Sequence, residues 1–198
     1  MTDGCVTGTC LGATVKSMIY FPFYFDITDK DFLLIGGGSI AADKFMRLRA
    51  FTDKIRIVAK ETEIDWPYIT LREYRPSDLA GAAYCVAATG DQSLDREIAS
   101  DCRKRGIPVN VPDNAALCDF IFPAIIKKGK LIASVSTSGA SPAYARMLKE
   151  QIAQLLPPDI EAVLDEMYGL RAELKSAGLS QAERAEIYRK KLGELLGG

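Results

Sequence analysis

The stretch Asp31-Phe32-Leu33-Leu34-Ile35-Gly36-Gly37-Gly38-Ser39-Ile40-Ala41 decides the fold of this chain. Its apolar half is typical of a short buried strand, and the three glycines end that run abruptly. Apolar residues at helical spacing then continue as far as Phe51, and a second apolar run covers residues 55–59. A strand, a glycine turn, a helix and another strand within about thirty residues predict a βαβ unit with two parallel strands.

The same alternation of strands and helices continues as far as Val111. A short strand is expected over residues 69–74, and the apolar run 84–88 is typical of a strand buried on both faces of a parallel sheet. A helix is predicted over residues 93–104 and a further strand over 107–111. Repeated units of this kind predict an α/β fold, built on a Rossmann-like doubly wound parallel sheet.

The pattern changes after Pro112. Two apolar runs, 120–126 and 131–136, flank the basic turn Lys127–Lys130, which predicts a β-hairpin. Ser141-Pro142 then opens a helix, because serine is a favoured N-cap and proline fits the first helical turn. The helices predicted after the hairpin cover residues 141–156, 160–175 and 180–196. We therefore expect a small α+β segment after the sheet, followed by a C-terminal helical region.

The beginning of the chain has no clear periodicity. Residues 1–18 are rich in glycine, threonine and cysteine, and we expect a flexible leader outside the fold. Its two thiols, Cys5 and Cys10, are either a site or unstructured leader thiols. Residues 20–25 are expected to form a short aromatic strand or edge segment.

The composition is that of an ordinary globular protein. Of 198 residues, 48% are hydrophobic and 26% are charged, so a sizeable core can be buried. The formal net charge of −1 gives no reason to expect nucleic acid or an anionic membrane as a partner. No apolar run reaches the roughly 18 residues that a bilayer requires, and we see no secretion signal. We therefore expect a cytoplasmic location.

The chain contains no histidine. Ser-His-Asp and Cys-His catalysis are thereby excluded, as is any metal site built on histidine. Acid–base chemistry must then use carboxylates, lysine, tyrosine or cysteine. The five cysteines form no C-x-x-C pair, which argues against a zinc ribbon, and Cys85 is expected in the core. We expect no metal site.

Gly36-x-Gly38-x-x-Ala41 is a dinucleotide-binding fingerprint in its required place between a strand and a helix. The first glycine permits the tight turn, and the second lets the backbone approach a pyrophosphate. The small third residue lets the helix pack closely on the strand, and the free N–H groups of the helix then face the anion. The cofactor-binding candidates here are Gly36, Gly38, Ser39, Ile40 and Ala41. The alternative is a purely structural glycine turn.

Further cofactor contacts are expected at the ends of other strands. Thr89 and Asp91 follow the strand over 84–88, although an ordinary β-to-α turn is an equally open interpretation. Glu61 lies slightly late for the carboxylate that usually binds the ribose, and Lys60 would favour a 2′-phosphate. The choice between NAD and NADP therefore stays open at this point.

Asp113 follows the strand that ends at Val111. In an open α/β sheet this is the edge where ligands bind. A carboxylate there acts as a general base or orients a substrate N–H group. The alternative is a turn residue beside Pro112 and Asn114.

Basic side chains cluster after the sheet. Such a group is either a solvated face or a site for a polyanion. Its members are Lys127, Lys128, Lys130, Arg146 and Lys149. The hydroxyl-rich loop that precedes the helix at Ser141 contains Thr137 and Ser138, and this loop is suited to a carboxylate or phosphate.

These motifs together resemble the precorrin-2 dehydrogenase family, which includes the N-terminal domain of siroheme synthases. The resemblance covers roughly residues 19–195. The stretches that carry it are Tyr20-Phe21-Pro22-Phe23-Tyr24-Phe25-Asp26, Leu34-Ile35-Gly36-Gly37-Gly38-Ser39-Ile40-Ala41-Ala42-Asp43-Lys44, Val86-Ala87-Ala88-Thr89-Gly90-Asp91, Val109-Asn110-Val111-Pro112-Asp113-Asn114, Cys118-Asp119-Phe120-Ile121-Phe122-Pro123-Ala124 and Val135-Ser136-Thr137-Ser138-Gly139-Ala140-Ser141-Pro142-Ala143. The chain departs from the family where Asp43 replaces a common arginine and where Thr137 replaces a serine of some members.

The resemblance implies an NAD-dependent enzyme that oxidises precorrin-2, a tetrapyrrole rich in carboxylates, to sirohydrochlorin. It implies that Asp113 is the key catalytic residue and that the segment after the sheet forms a homodimer. The residues that it assigns to the substrate are Asn110, Lys127, Lys128, Thr137, Ser138 and Arg146. Some members of the family also insert ferrous iron, so a bifunctional chelatase is one alternative. A regulatory domain that senses NAD without turnover is another.

A division of the chain follows from these expectations. The leader covers residues 1–18, the NAD-binding domain 19–112, the dimerisation and substrate segment 113–150, and the C-terminal helical region 151–198.

Overall fold

The computed structural model describes residues 19–197. The expectations for the leader, including its thiols Cys5 and Cys10, lie outside the described residues. The elements of the sheet and its helices are β1 (Phe32–Ile35), α1 (Ser39–Arg49), β2 (Ile55–Ala59), β3 (Ile69–Leu71), β4 (Tyr84–Ala87), α2 (Gln92–Lys104) and β5 (Val109–Asn110). Single 3₁₀ turns at Pro76–Leu79 and Ala115–Leu117 precede β4 and follow β5.

The five strands form one parallel sheet in the order β3-β2-β1-β4-β5. The chain moves outward from β1 through β2 to β3, and then returns to place β4 on the other side of β1. Ile35, at the end of β1, pairs with Val58 of β2 and Ala87 of β4. The strand order therefore reverses between β1 and β4, and this confirms the α/β fold expected from the sequence.

Alternate residues of the strands face opposite sides of the sheet. Leu33 and Ile35 join a buried cluster with Ile98 and Cys102 of α2. Phe32 and Leu34 join a second cluster, which contains Phe45 and Leu48 of α1 among others. Helices cover both faces, which explains why these strands are apolar throughout. Cys85 is fully buried in the core, as expected.

The rest of the chain forms a hairpin and three helices. Strands β6 (Ala124–Lys128) and β7 (Leu131–Val135) pair antiparallel, as predicted. The helices are α3 (Pro142–Leu155), α4 (Ile160–Ser176) and α5 (Gln181–Leu195). The Ser141 hydroxyl accepts a hydrogen bond from the Tyr144 N–H group at 3.2 Å, so Ser141 is the predicted N-cap of α3. Helix α5 likewise begins at the predicted capping box of Ser180 and Glu183.

Three local expectations were wrong. Residues 20–25 form no strand, because Pro22 has no N–H group and the exposed Phe21, Phe23 and Phe25 rings pack on one another instead. Strand β3 ends at Leu71 rather than at residue 74. The hairpin turn is shorter than the expected Lys127–Lys130, because Lys127 and Lys128 are the last residues of β6 and pair with β7. In the described residues, no helix is both long and apolar enough to cross a membrane.

Candidate functional site

The glycine turn after β1 lies between the ends of two neighbouring strands. Gly36 has a φ of 121°, and a Cβ atom there would overlap the carbonyl oxygen of Ala88 beyond β4. A Cβ atom on Gly37 would overlap the carbonyl oxygen of Glu61 beyond β2. Glycine is therefore required at both positions, because the backbone approaches the turn from either side.

Gly38 serves a different purpose, since a Cβ atom there would meet nothing within 4 Å. It is the N-cap of α1, and it has no side chain to accept a hydrogen bond from the first turn. The first turn also contains no acidic residue. The N–H groups and the positive end of the helix dipole therefore face open space, which suits a phosphate group. Ala41 is fully buried against the sheet, as its packing role requires.

Two cavities meet at this helix N-terminus. The larger, of about 860 Å³, lies beyond the end of β2, and the smaller, of about 400 Å³, lies beyond β4 and β5. Gly38 and Ser39 line both of them. The larger cavity is also lined by Gly37, Ala42, Phe45, Met46, Glu61, Thr62, Glu63, Ile64 and Asp65. The smaller is also lined by Ile40, Ala88, Thr89, Gly90, Gln92, Asp95, Val111, Pro112, Asp113 and Asn114.

This arrangement fits a dinucleotide. Its pyrophosphate would lie on the N-terminus of α1, and its two nucleoside halves would occupy the two cavities. Because Gly38 has no side chain, the space for the pyrophosphate at the N-terminus of α1 stays open.

The structure separates the two cofactor candidates that follow β4. Thr89 lines the smaller cavity, and its hydroxyl donates to the Asp95 carboxylate at 2.8 Å. Asp91 does not line that cavity, because its carboxylate accepts the N–H groups of Ser93 and Leu94 and so caps α2. The expected cofactor contact of Asp91 is thus replaced by the alternative, a residue of a β-to-α turn.

Asp95 is a carboxylate of the smaller cavity that the sequence did not single out. It is buried, and it also accepts a hydrogen bond from the Thr89 N–H group at 3.2 Å. Burial raises the pKa of this carboxyl group, although the two hydrogen bonds from Thr89 act in the opposite direction. The bonds fix the loop between β4 and α2 against the wall of the cavity.

Asp113 lines the same cavity from the end of β5. It occupies the turn closed by the Asn114 N–H group, which donates to the Val111 carbonyl at 3.2 Å. Its φ of 62° is in the left-handed region, which a residue other than glycine rarely adopts. The side chain is exposed. Asp113 and Gly38 therefore lie on the walls of one cavity, at the carboxyl edge of the sheet.

Asn110, three residues earlier, is placed differently. Its side chain is buried, and its amide nitrogen donates to the Phe120 carbonyl at 2.9 Å. It lines none of the three cavities described here. The structure therefore does not place the Asn110 side chain at a cavity where it would contact the substrate. Strand alternation explains the difference, since the residue sits within β5 and not in the turn beyond it.

A third cavity, of about 680 Å³, lies between α1, the hairpin and α3. Among residues 19–197, no carboxylate lines it, and five basic side chains do: Lys44, Arg47, Lys127, Arg146 and Lys149. Thr137 and Ser138 also line it, so the hydroxyl-rich loop and the basic group are brought together. The cavity has the chemistry of a site for an anion with several carboxylates.

Lys128 and Lys130 do not belong to this basic cavity. Successive residues of a strand point to opposite faces, so Lys127 and Lys128 in β6 must diverge. Lys130 instead pairs with Asp165 of α4. We expected Lys127 and Lys128 to contact the same ligand, but the pleat of the strand places only Lys127 at the cavity.

The basic cavity adjoins the smaller nucleotide cavity. Ile40, Lys44 and Arg47 follow one another along one face of α1, and the first lines the nucleotide cavity while the others line the basic one. Asn114 and Ala115 are adjacent in sequence, and Asn114 lines the nucleotide cavity while Ala115 lines the basic one. A ligand held in the basic cavity would thus lie next to Asp113.

The sequence signal for Lys44 and Arg47 was available in this i, i+4, i+7 spacing from Ile40. No comparable signal existed for Asp95, whose position depends on how α2 packs on the sheet, whereas Lys149 belongs to the basic group that the sequence already indicated. Among residues 19–197, no group of three or more acidic or cysteine side chains is arranged to hold a metal ion.

Comparison with known families gives two matches. A family model described as "Putative NAD(P)-binding" matches residues 23–124. A second model, described as "Sirohaem biosynthesis protein central", matches residues 134–155. The first covers the sheet with both nucleotide cavities, and the second covers the hydroxyl-rich loop and α3.

The chain is also similar to individual proteins that are siroheme synthases. The siroheme synthase of Nitrosomonas europaea is 32% identical over 184 residues, which cover 88% of this chain and 39% of that protein. The siroheme synthase of Ectopseudomonas mendocina is 37% identical over 146 residues, which cover 71% of this chain and 32% of that protein. The chain thus spans less than half the length of these curated relatives.

One solved structure, that of SirC, precorrin-2 dehydrogenase, is similar over 86% of this chain and 88% of that chain. The TM-score is 0.69 and the sequence identity is 21%. The two proteins therefore share a fold.

Proposed function

The chain belongs to the family whose model is described as "Putative NAD(P)-binding", and we propose that it oxidises precorrin-2 to sirohydrochlorin with NAD⁺ as the hydride acceptor. One observation carries this proposal. Asp113, the uncapped N-terminus of α1 and the basic cavity converge at the carboxyl edge of one sheet. That edge is where an open α/β sheet binds its ligands.

The larger cavity supports NAD over NADP. Three carboxylate residues line it, Glu61, Glu63 and Asp65, and no basic residue of the described part of the chain does. Lys60, which would have favoured a 2′-phosphate, pairs with Glu73 at 3.0 Å and does not line the cavity. A 2′-phosphate would face like charges there, whereas the ribose hydroxyls of NAD can donate to a carboxylate.

In the reaction, the nicotinamide of bound NAD⁺ supplies the hydride acceptor. The chain supplies position and proton transfer. Gly38 and Ser39 would hold the pyrophosphate, and the cavity that Asp113 lines would receive the nicotinamide half. A carboxylate oxygen of Asp113 accepts the proton that the macrocycle loses together with the hydride. The left-handed turn at Asp113 presents this carboxylate to the cavity.

The basic cavity supports a polycarboxylate substrate. Arg47, Lys127 and Arg146 lie on its walls, together with Lys44 and Lys149. The rings of Phe51 and Phe122 lie near two of these cations, with centroids 5.6 Å from Lys127 Nζ and 5.2 Å from Lys44 Nζ. Cations and apolar rings together suit a flat macrocycle that carries carboxylates at its rim.

We also propose that two copies of the chain associate through α3. Tyr144, Met147 and Leu155 are exposed on one side of this helix. A two-stranded sheet such as β6–β7 is marginal by itself, and no further strand within residues 19–197 pairs with either of its outer edges. A second copy would cover the apolar side chains and support the hairpin. Sedimentation of the purified protein tests this, and Leu155→Glu is expected to weaken the association.

The test of the proposed activity is anaerobic incubation of the purified chain with enzymatically made precorrin-2 and NAD⁺, without iron. We expect the absorbance of sirohydrochlorin to appear with an equal amount of NADH. A chain that binds NAD but leaves precorrin-2 unchanged would instead be a regulatory NAD sensor. Ferrous iron added after turnover then tests chelation, which would consume the sirohydrochlorin absorbance.

A further inference from the structure

Strand β5 is an edge strand whose outer side is covered by the segment Cys118-Asp119-Phe120. Its inner side pairs with β4. On the outer side, the Asp119 N–H group donates to the Val109 carbonyl at 2.8 Å. The Val109 N–H group in turn donates to the Asp119 carboxylate at 3.0 Å. Asp119 thus takes the place of a neighbouring strand along the first part of β5.

The Cys118 side chain forms the corresponding hydrogen bonds with Val111, the residue that follows β5. Its sulfur accepts the Val111 N–H group at 3.2 Å. Its thiol donates to the Val111 carbonyl at 3.1 Å and also lies 3.4 Å from the Asn114 carbonyl, so the two oxygens share one proton. A single side chain therefore joins both ends of the turn from Val111 to Asn114.

That turn contains Asp113 in its left-handed conformation. Such a backbone is unfavourable for most residues with a side chain, and it persists where the surroundings fix it. The Asn114 N–H group closes the turn from within, and the sulfur closes it from outside. No other side chain among residues 19–197 forms a hydrogen bond with Val111 or with the Asn114 carbonyl.

We propose that Cys118 is the positioning residue for Asp113, because its thiol fixes the turn that presents the Asp113 carboxylate to the nucleotide cavity. This inference rests on the proposed function, in which Asp113 accepts the proton. Burial raises the pKa of the Cys118 thiol, so the group stays protonated at neutral pH and can donate. Alanine at this position would leave the N–H and carbonyl groups of Val111 without these bonds.

The test compares Cys118→Ala, Cys118→Ser and the control Cys102→Ala. Cys102 is a buried thiol of α2 that shares the core cluster of Val111, but in the described part of the chain its side chain forms no hydrogen bond with Val111 or Asn114. We expect Cys118→Ala to lower kcat by roughly 10- to 100-fold, because a small displacement of a catalytic group has an effect of this size. The KM for NAD⁺ should change by less than about twofold, since the glycine turn is untouched. Cys118→Ser keeps a donor and an acceptor, so it should recover most of the turnover. Cys102→Ala should turn over like the wild type.

A double variant shows whether Cys118 acts through Asp113. We expect Cys118→Ala to cause no further loss of kcat when Asp113→Asn is already present, because the carboxylate that it positions is gone. If the kcat losses of the two single variants multiply in the double variant, the proposal is overturned. A Cys118→Ala variant with wild-type kcat would also overturn it. A parallel loss of NAD⁺ affinity would also overturn it, since the change would then not be confined to the turn.

Hydrogen exchange separates this inference from the proposed function. If the wild type fails to oxidise precorrin-2, the proposed function is wrong, but the amides of Val111 and Asn114 still report on the turn. We expect Cys118→Ala to speed their exchange by at least about tenfold while the amides of β1 keep their protection. Unchanged exchange at Val111 and Asn114 would overturn the positioning role.

Discussion

Gly36 lies so close to Ala88 that a methyl group on Gly36 would overlap the Ala88 carbonyl oxygen. This contact joins the ends of β1 and β4 at the point where the strand order reverses. We expect Gly36→Ala to destabilise the fold by several kcal/mol, because the substitution adds a clash to a φ of 121°. Thermal or urea unfolding measures the loss.

Gly38→Ala is the matched control, since its Cβ atom meets no neighbour within 4 Å. We expect this variant to unfold like the wild type but to bind NAD⁺ more weakly, because the added methyl group enters the space for the pyrophosphate. Calorimetric titration with NAD⁺ measures the change. Equal affinity of Gly38→Ala and wild type would contradict the assigned position of the pyrophosphate.

Cofactor choice should depend on the carboxylates beyond β2. We expect the wild type to bind NAD⁺ at least tenfold more tightly than NADP⁺, because a 2′-phosphate would face Glu61 and Glu63. Glu61→Gln should narrow this ratio by raising the affinity for NADP⁺. Glu73→Gln, which removes the partner of Lys60 outside the cavity, is the control. An unchanged ratio in Glu61→Gln would count against the acidic wall as the determinant.

Two adjacent lysines should differ in their effect on the substrate. Lys127 lines the basic cavity and Lys128 does not. We expect Lys127→Ala to raise the KM for precorrin-2 by roughly 3- to 30-fold, the range of one charge-assisted contact, with the effect shrinking at high salt. Lys128→Ala should leave the KM unchanged. Equal effects of the two substitutions would show that the cavity does not hold the substrate.

Asp95→Asn should stabilise the protein at neutral pH. The pKa of Asp95 is raised in the folded state by burial, so the ionised carboxylate opposes folding above that pKa. An asparagine oxygen can still accept the bonds from Thr89. The gain in the free energy of unfolding should therefore be largest near pH 7 and disappear below the ordinary value of 3.8, where the carboxyl group is protonated in both states. Urea unfolding at several pH values checks this, and a less stable variant at pH 7 would contradict it.

Much of the fold follows from local patterns in the sequence. The apolar runs of β1, β2 and β4 and the glycines after β1 predict the parallel sheet, because each signal is strong within a few residues. The conformation of residues 20–25 was not predictable in this way. Their aromatic side chains suit a strand, but Pro22 and the packing of the aromatic rings on one another exclude one.

The site was predicted best where it depends on the backbone. Gly36, Gly38 and Asp113 are fixed by turns that the sequence specifies directly. Asp91, Asn110 and Lys128 lie outside the three cavities, because helix capping and strand pairing decide their direction. Asp95 was missed, because only tertiary packing brings it to a cavity.

Transfer of a deuterium from precorrin-2 to NAD⁺ tests the central claim most directly. Perdeuterated precorrin-2 would be incubated with the purified chain and NAD⁺ without oxygen, and the NADH would be analysed by mass spectrometry. We expect one deuterium in each NADH, with the rate reduced at least a hundredfold in Asp113→Asn, as is typical for removal of a general base. NADH without deuterium, or full activity of Asp113→Asn, would contradict it.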